Sequence, residues 1–408
     1  MEYVARRSRQ YVSKTDILAI NNEANKDRQR GNKVINASIG TFLDNNKNIG
    51  GIQLINQALK EHITDDLGYT TVYGNSDYLD SVMYYVFSER LDKIRELYQP
   101  FIGATLGGTG AISISFNLFL EEGDNVLLPE IMWSNYKLVA LKAHVGYVTY
   151  KFFDDDGNFN LASLREMIQK QMEKQERTLV VINDPCHNPT GYCLSEEEYE
   201  KLFAMLDEEG KKGCLSVLFD IAYISFFHIP GKKCNLIDML ARKNWNFLPL
   251  IAFSCSKLFS LYGSRVGALI ALANDEENKN EIKRAFGAQA RGTYSTPNGT
   301  TQHAISVVMK DENKMFELHR QIQENCDMLA KRSEILLKEL EENNIPHYTY
   351  KSGFFVTLIV DDAKAIADKL KVKHMYVVPM DEHSLRIAIS GLTETEISEL
   401  IKTLKTML

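Results

Sequence analysis

The sequence predicts an α/β protein in two parts: a large domain with a mainly parallel sheet flanked by helices, and a smaller α+β domain. Three observations carry this. Between Phe101 and Phe253, short apolar and β-branched runs alternate with stretches of helical periodicity, the pattern of strands joined by crossover helices. The residues that follow those runs are small, charged or hydrogen-bonding, as at the ligand-binding edge of an open parallel sheet. Beyond residue 298 the order changes to a long helical stretch, two short strands and a closing helix.

In chain order, residues 15–31 suit an amphipathic helix ended by Gly31, and Lys33–Ile39 alternates toward a strand closing on Gly40-Thr41-Phe42. From Asp66 to Ser76 a glycine-punctuated loop carries Tyr69 and Tyr73, and a helix from Tyr78 to Glu96 follows. Strands are then expected at Phe101–Leu106, Asn125–Pro129, Tyr147–Phe152, Thr178–Asn183, Leu215–Asp220 and Leu248–Phe253. The helices between them are expected at Gly108–Leu120, Trp133–His144 and Leu161–Glu176, with another opened by the capping-box pattern Ser195-x-x-Glu198. The tail supplies a helical stretch over Asn298–Glu342, strands at Gly353–Val360 and Ser384–Ser390, and a helix over Thr393–Leu408. These elements divide into an N-terminal arm and small-domain segment (1–48), a large domain (49–297) and a small C-terminal domain (298–408).

Bulk properties narrow the function. Hydrophobic residues at 44% and charged residues at 25% are a globular mix, and no stretch reaches the roughly 20 apolar residues of a membrane span. The net charge of −7, without a basic block, argues against nucleic acid. Arg6, Arg7 and Arg9 precede no apolar run, so no secretory leader is expected and the cytoplasm is the expected location. The cysteines at 186, 193, 214, 234, 255 and 326 lack metal spacing and read as reduced core thiols, and no metal is expected.

The chemistry gathers at the strand ends. Leu248–Phe253 runs into Ser254-Cys-Ser256-Lys257 and on to Arg265-Val-Gly267, where two hydroxyls and a guanidinium fork can surround an anion. A lysine beside that fixed cation is suited to lose its proton and attack a carbonyl. Gly107-Gly108-Thr109-Gly110 opens a helix with exposed backbone N–H groups, a second wall for a phosphate. Asp220, delivered by an apolar strand, is placed to hold a buried cation, while Tyr223 and Asn188 can donate to a phenolate and Trp133 can lie on an aromatic ring.

Taken together, Ser254-x-Ser256-Lys257 through Arg265-x-Gly267, His187-Asn188-Pro189-Thr190-Gly191 and Asp220-x-x-Tyr223 resemble the class I pyridoxal-phosphate-dependent aminotransferases of the aspartate and aromatic amino acid group, fold type I. The resemblance covers nearly the whole chain. It implies pyridoxal 5'-phosphate held by Lys257 as a Schiff base, with Asp220 on the ring nitrogen, Asn188 and Tyr223 on the ring oxygen and Trp133 on the ring face. It also implies phosphate binding by Gly108, Thr109, Ser254, Ser256 and Arg265, joined by Tyr69 from the neighbouring subunit of a homodimer with shared sites. Arg386, on the run Ser384–Ser390, would take the substrate α-carboxylate, Gly40 would close over the substrate, and Arg291 would meet a side-chain carboxylate across the dimer. The implied activity is ping-pong transamination between an aspartate or aromatic donor and a 2-oxo acid such as 2-oxoglutarate. Two readings stand beside it: a lyase on the same fold, and a cofactor-sensing regulator. Two departures accompany the resemblance. Gly107 stands where relatives often carry a hydroxyl, and Tyr136 where many carry a histidine behind the aspartate.

Overall fold

The structure, a computed structural model, describes residues 3, 17–65 and 67–408. Arg6, Arg7, Arg9, the first two residues of the expected 15–31 helix and Asp66 lie outside the described residues. The first elements are α1 (Ile17–Gln29) and the two-residue strand β1 (Ile35–Asn36), followed by α2 (Gln53–His62). The helix expected over 78–96 is divided at Ser88, whose φ of +45° cannot propagate a helix, into α3 (Ser76–Phe87), a 3-10 turn and α4 (Leu91–Leu97). Asn75 caps α3 by accepting from the N–H groups of Asp77 and Tyr78.

The alternating core follows: β2 (Gln99–Leu106), α5 (Gly107–Phe119), β3 (Asn125–Pro129), α6 (Asn135–Lys142), β4 (Gly146–Tyr150), α7 (Leu161–Met172), β5 (Arg177–Asn183), α8 (Glu196–Gly210) and β6 (Cys214–Asp220). Ser195 and Glu198 form the expected capping box on α8. Next come α9 (Leu236–Leu240), β7 (Leu248–Ser254), the single turn α10 (Cys255–Leu258), β8 (Val266–Ala273) and α11 (Glu276–Thr293). The helical stretch expected over 298–342 is two helices, α12 (Gly299–Met309) and α13 (Glu312–Glu342), because Asp311 accepts from the Lys314 N–H at 3.0 Å and starts a new helix. The chain closes with β9 (Phe355–Ile359), α14 (Ala363–Val372), β10 (Met375–Tyr376), β11 (Val378–Pro379), β12 (Ser384–Ala388) and α15 (Glu394–Lys405).

Seven strands form one sheet in the order β2-β8-β7-β6-β5-β3-β4. Only β8 opposes its neighbours; the pairings β7–β6, β6–β5, β5–β3 and β3–β4 are parallel. The sheet is mainly parallel, as the alternation predicts, and helices pack against it. A continuous core joins Ile112, Phe116, Val126, Leu128, Val181, Leu250 and Leu269. β8 is buried along its whole length, so its sequence Val-Gly-Ala-Leu-Ile-Ala-Leu-Ala carries no alternation to mark it as a strand.

The described chain forms two compact units: one of residues through Asn48, Leu329–Tyr350 and Phe354–Leu408, the other of Ile49–Met328 and Lys351–Gly353. α12 and the first half of α13 therefore belong to the unit that carries the seven-stranded sheet. The other unit holds the antiparallel sheet β11-β12-β9 and the parallel pair β1-β10. Cys214 is exposed and Cys234 half-buried, so only the remaining four cysteines sit in the core. No helix among the described residues is long and apolar enough to cross a membrane.

Candidate active site

The register of the seven-stranded sheet brings the expected residues to one edge. Asn183 pairs with Asp220, Asp220 with Ala252, Ser254 with Gly267, and Gly267 with Thr105, so the ends of five strands form a row. β8 enters that row in the opposite direction, which puts Arg265, immediately before it, beside the ends of β2 and β7. Gly267 is required there: a Cβ would lie 2.5 Å from the Phe253 carbonyl oxygen and 2.7 Å from Gly107 carbonyl carbon.

The anion cradle is assembled around Arg265. Its Nη1 donates to Ser256 Oγ at 3.0 Å and to the Tyr262 carbonyl at 3.1 Å, and Nη2 donates to the Leu106 carbonyl at 3.3 Å. The residue holds φ at +54°, a strained conformation for a side-chain-bearing residue, which directs the guanidinium toward the start of α5. Ser254 Oγ accepts from the Ser256 N–H at 3.3 Å and caps the turn that carries Lys257. Gly108 approaches Ser254 closely, a built Cβ lying 3.2 Å from the serine Cβ, and the half-buried Thr109 follows it in the first turn of α5. Gly107 explains its own departure from the resemblance: φ is +70°, and a Cβ would sit 2.5 Å from Arg265 Nη2. A hydroxyl-bearing residue there would be strained and would displace the guanidinium.

Lys257 extends across this edge. Its Nζ lies 4.7 Å from the ring centre of Tyr262 and 5.6 Å from that of Tyr223. Asp220 is buried at the end of β6 and accepts from Tyr136 Oη at 2.6 Å and from the Ala222 N–H at 3.1 Å. Burial pushes its carboxyl above the ordinary carboxylate range, opposed by those two hydrogen bonds and by the charge of Lys257. Burial also pushes the Tyr136 phenol well up, reinforced by the charge of Asp220, so it remains a proton donor. Trp133 packs edge-on against Tyr136, ring centres 5.3 Å apart, just before α6 rather than within it.

Asn188 is buried in the loop after β5, where its N–H donates to Asn183 Oδ1 at 2.8 Å, and Asn183 Nδ2 donates to the Asp220 carbonyl at 2.9 Å. The Asn183 amide thus ties the two loops together, a link the sequence reading missed although the residue closes its strand there. Tyr262, whose ring lies beside Lys257 Nζ, has a single signal in the sequence, an aromatic five residues past the lysine. His187 is a packing residue: it stacks on Phe152 at 4.1 Å, bonds Thr190 Oγ1 through Nδ1 at 2.9 Å, and burial pushes its pKa down to about 3.

Four expected residues are not among those that the sheet register groups in this cluster. Tyr69 is 94% exposed, and Arg291 is exposed at the end of α11 with Nη1 on Ser295 Oγ at 2.9 Å. Arg386 belongs to the other unit, on β12, where it is buried, donates through Nη2 to the Ser38 carbonyl at 2.6 Å and lies 4.5 Å over the Phe355 ring. Gly40 is in that same unit and touches Phe355 so closely that a Cβ would stand 2.5 Å from Cζ.

The model of the aminotransferase class I and II family matches residues 32–404. The chain belongs to this family. This aminotransferase is 26% identical over 394 residues to the aromatic-amino-acid aminotransferase of Escherichia coli (strain K12), covering 92% of this chain and 94% of the relative. It is 25% identical over 391 residues to the aspartate aminotransferase of Haemophilus influenzae, covering 94% and 95% of the two chains. A crystal structure of an aminotransferase from Anaerococcus prevotii superposes with a TM-score of 0.89 at 26% identity, covering 100% of this chain and 99% of that one. The aromatic-amino-acid aminotransferase from Burkholderia pseudomallei, solved covalently bound to pyridoxal phosphate, shares the fold with a TM-score of 0.81 at 22% identity, covering 99% and 100%. These neighbours confirm the α/β, fold type I architecture expected for this aminotransferase.

Proposed function

We propose that this aminotransferase uses pyridoxal 5'-phosphate to exchange the amino group of aspartate or an aromatic amino acid with a 2-oxo acid such as 2-oxoglutarate. The observation that carries the reading is the coincidence, on one sheet edge, of Lys257, the buried acid Asp220 and the cradle of Gly107, Gly108, Ser254, Ser256 and Arg265. The residues fit the cofactor on chemical grounds. A space closed to a Cβ at Gly107 and edged by a guanidinium suits a phosphate, and a buried carboxyl at the end of β6 gains the charge partner its burial calls for from a cationic ring nitrogen.

In this reading Lys257 holds the cofactor covalently through Nζ. Gly108, Thr109, Ser254, Ser256 and Arg265 bind its phosphate, Asp220 its ring nitrogen, Asn188 and Tyr223 its ring oxygen, and Trp133 covers its face. The bound cofactor supplies an electron sink for the pair released at the substrate Cα. Once the substrate amine takes its place on the cofactor, the freed neutral Nζ of Lys257 would take the proton from the substrate Cα and deliver it to the cofactor carbon, a base placed beside the bond it breaks. Tyr136 orients Asp220 and favours its anion by donating to Oδ2. The substrate α-carboxylate is assigned to the Arg386 guanidinium, a bidentate fork, with Gly40, Trp133 and Asn188 as further substrate contacts. The active unit is inferred to be a cytoplasmic homodimer, in which the exposed Tyr69 and Arg291 serve the neighbouring site; their exposure supports that role.

The test is a spectroscopic scan of the holoenzyme against a panel of amino acids, with ammonia release followed in parallel. Conversion of the aldehyde to the amine form of the cofactor by aspartate or aromatic donors, restored by 2-oxoglutarate, is the expected result. Ammonia release without an acceptor would make the protein a lyase instead.

A further inference from the structure

A second cluster of ligand-bearing side chains lies outside the residues assigned to the reaction. His62 ends α2, Asp65 stands in the turn that follows, and His303 lies on α12, which packs against α2. His62 Nδ1 is 2.7 Å from Asp65 Oδ2, and His303 Nε2 is 3.9 Å from the same oxygen. One ligand atom from each residue falls within 4.8 Å of the other two, and this is the only such group of three or more His, Cys, Asp or Glu among the described residues. No lysine or arginine pairs with Asp65 among the described residues; its ion-pair partners are the two imidazoles.

We propose that His62, Asp65 and His303 bind a divalent d-block cation of the zinc type. Two imidazoles and a carboxylate are the donor set that selects such ions over calcium or magnesium, which prefer all-oxygen surroundings. Tetrahedral bonds of about 2.0–2.1 Å place ligand atoms about 3.3 Å apart, between the two separations seen here. Side-chain exposures of 25%, 45% and 29% leave the three groups room to turn by that amount and leave the fourth position to water. Binding through Nδ1 uses the His62 tautomer that carries its hydrogen on Nε2, so the cation replaces the hydrogen bond between His62 Nδ1 and Asp65 Oδ2.

The position of the site gives the ion a consequence. The segment after Asp65 leads to Tyr69 and is tied to the α12 region by Thr70 Oγ1 on the Pro297 carbonyl at 3.3 Å and by the Asn75 N–H on Gln302 Oε1 at 2.8 Å. A metal bridging Asp65 to His303 adds a third tie at the other end of the same loop. That this would steady a residue of the neighbouring active site rests on the proposed function; the binding itself does not.

The experiment is titration of tag-free full-length holoenzyme with Zn2+ by calorimetry, with Mg2+ as the comparison ion and hydrogen exchange read over residues 67–74. Saturable binding of one Zn2+ per chain is expected, with no binding of Mg2+ and slower exchange across the loop. Changes that only reorient metal ligands cost about 10- to 100-fold in affinity, so His303→Ala and Asp65→Asn should each weaken Zn2+ by at least tenfold. Circular dichroism of each variant in chelator establishes that it is folded. Absence of saturable binding, or equal affinity in both folded variants, would overturn the site. Because binding is read without turnover, its failure leaves the transamination reading standing, and a loss of that reading leaves the site standing.

Discussion

Tyr136 donates its phenolic proton to Oδ2 of Asp220 at 2.6 Å, joining α6 to the end of β6 behind the acid. The bond holds the pKa of Asp220 down against burial, so Tyr136→Phe should raise it. Hydrogen bonds to charged groups contribute about 1.5–3 kcal/mol, which is roughly ten- to hundredfold in kcat/KM. The acid limb of the kcat/KM profile should move to higher pH in the variant. An unmoved acid limb would show that the phenol does not tune Asp220.

Lys257→Ala should abolish turnover while leaving the fold intact, because the sheet is held by strand pairing and a core that excludes this half-buried side chain. Borohydride reduction of the wild-type holoenzyme should label Lys257. Labelling of a different lysine, or near-normal transamination by the Ala variant, would refute the assignment of the central residue.

Shared sites can be tested by complementation. Lys257→Ala subunits mixed with Tyr69→Phe/Arg291→Ala subunits should recover part of the activity, since one site per heterodimer regains all its groups. Subunit exchange confirmed by mass spectrometry with no recovery would count against a site built across a dimer.

Arg291 is exposed and donates to a neutral serine hydroxyl at 2.9 Å rather than to a carboxylate, so it is available to a second substrate carboxylate. Such a bidentate contact contributes on the order of 1.5–3 kcal/mol. Arg291→Leu should therefore reduce kcat/KM for aspartate and glutamate by about ten- to hundredfold and change phenylalanine and tyrosine little. Equal losses for both classes would remove the arginine from specificity.

Asp184 is buried, and desolvation raises its pKa from 3.8 to about 7. Between those values the folded chain keeps a proton that the unfolded chain has released, so this group's contribution to stability falls as pH rises from about 4 to 7. Asp184→Asn cannot ionise. Relative to wild type the variant should gain stability across that window, by up to about 4 kcal/mol at 1.36 kcal/mol per pH unit. Urea unfolding at pH 5 and pH 8 would measure it, and a difference independent of pH would contradict the raised pKa.

The parallel strands and their helices were legible because each writes its period locally: Asn125–Pro129 falls where the apolar run places it, and Ser195 with Glu198 caps α8 as the four-residue pattern requires. The strand-end residues were legible for the same reason, since an acid or a lysine directly after a buried run must emerge at the sheet edge. β8 was not, because a fully buried strand of small and aliphatic residues has no polar face to show its period. The helix breaks at Ser88 and Asp311 turn on one backbone angle and one cap, each too short-range to disturb a periodicity read over a dozen residues.

The sequence by itself determined which residue types stand at the strand ends and in what order, and through them the family and the expected chemistry of Lys257 and Asp220. Tertiary structure alone decided who their neighbours are. The reversal of β8 sets Arg265 against Gly107, α6 carries Tyr136 to a carboxylate 84 positions away, and α12 brings His303 to His62 and Asp65. Those pairings depend on strand order and on which helix faces meet, relations between distant segments that no local period encodes.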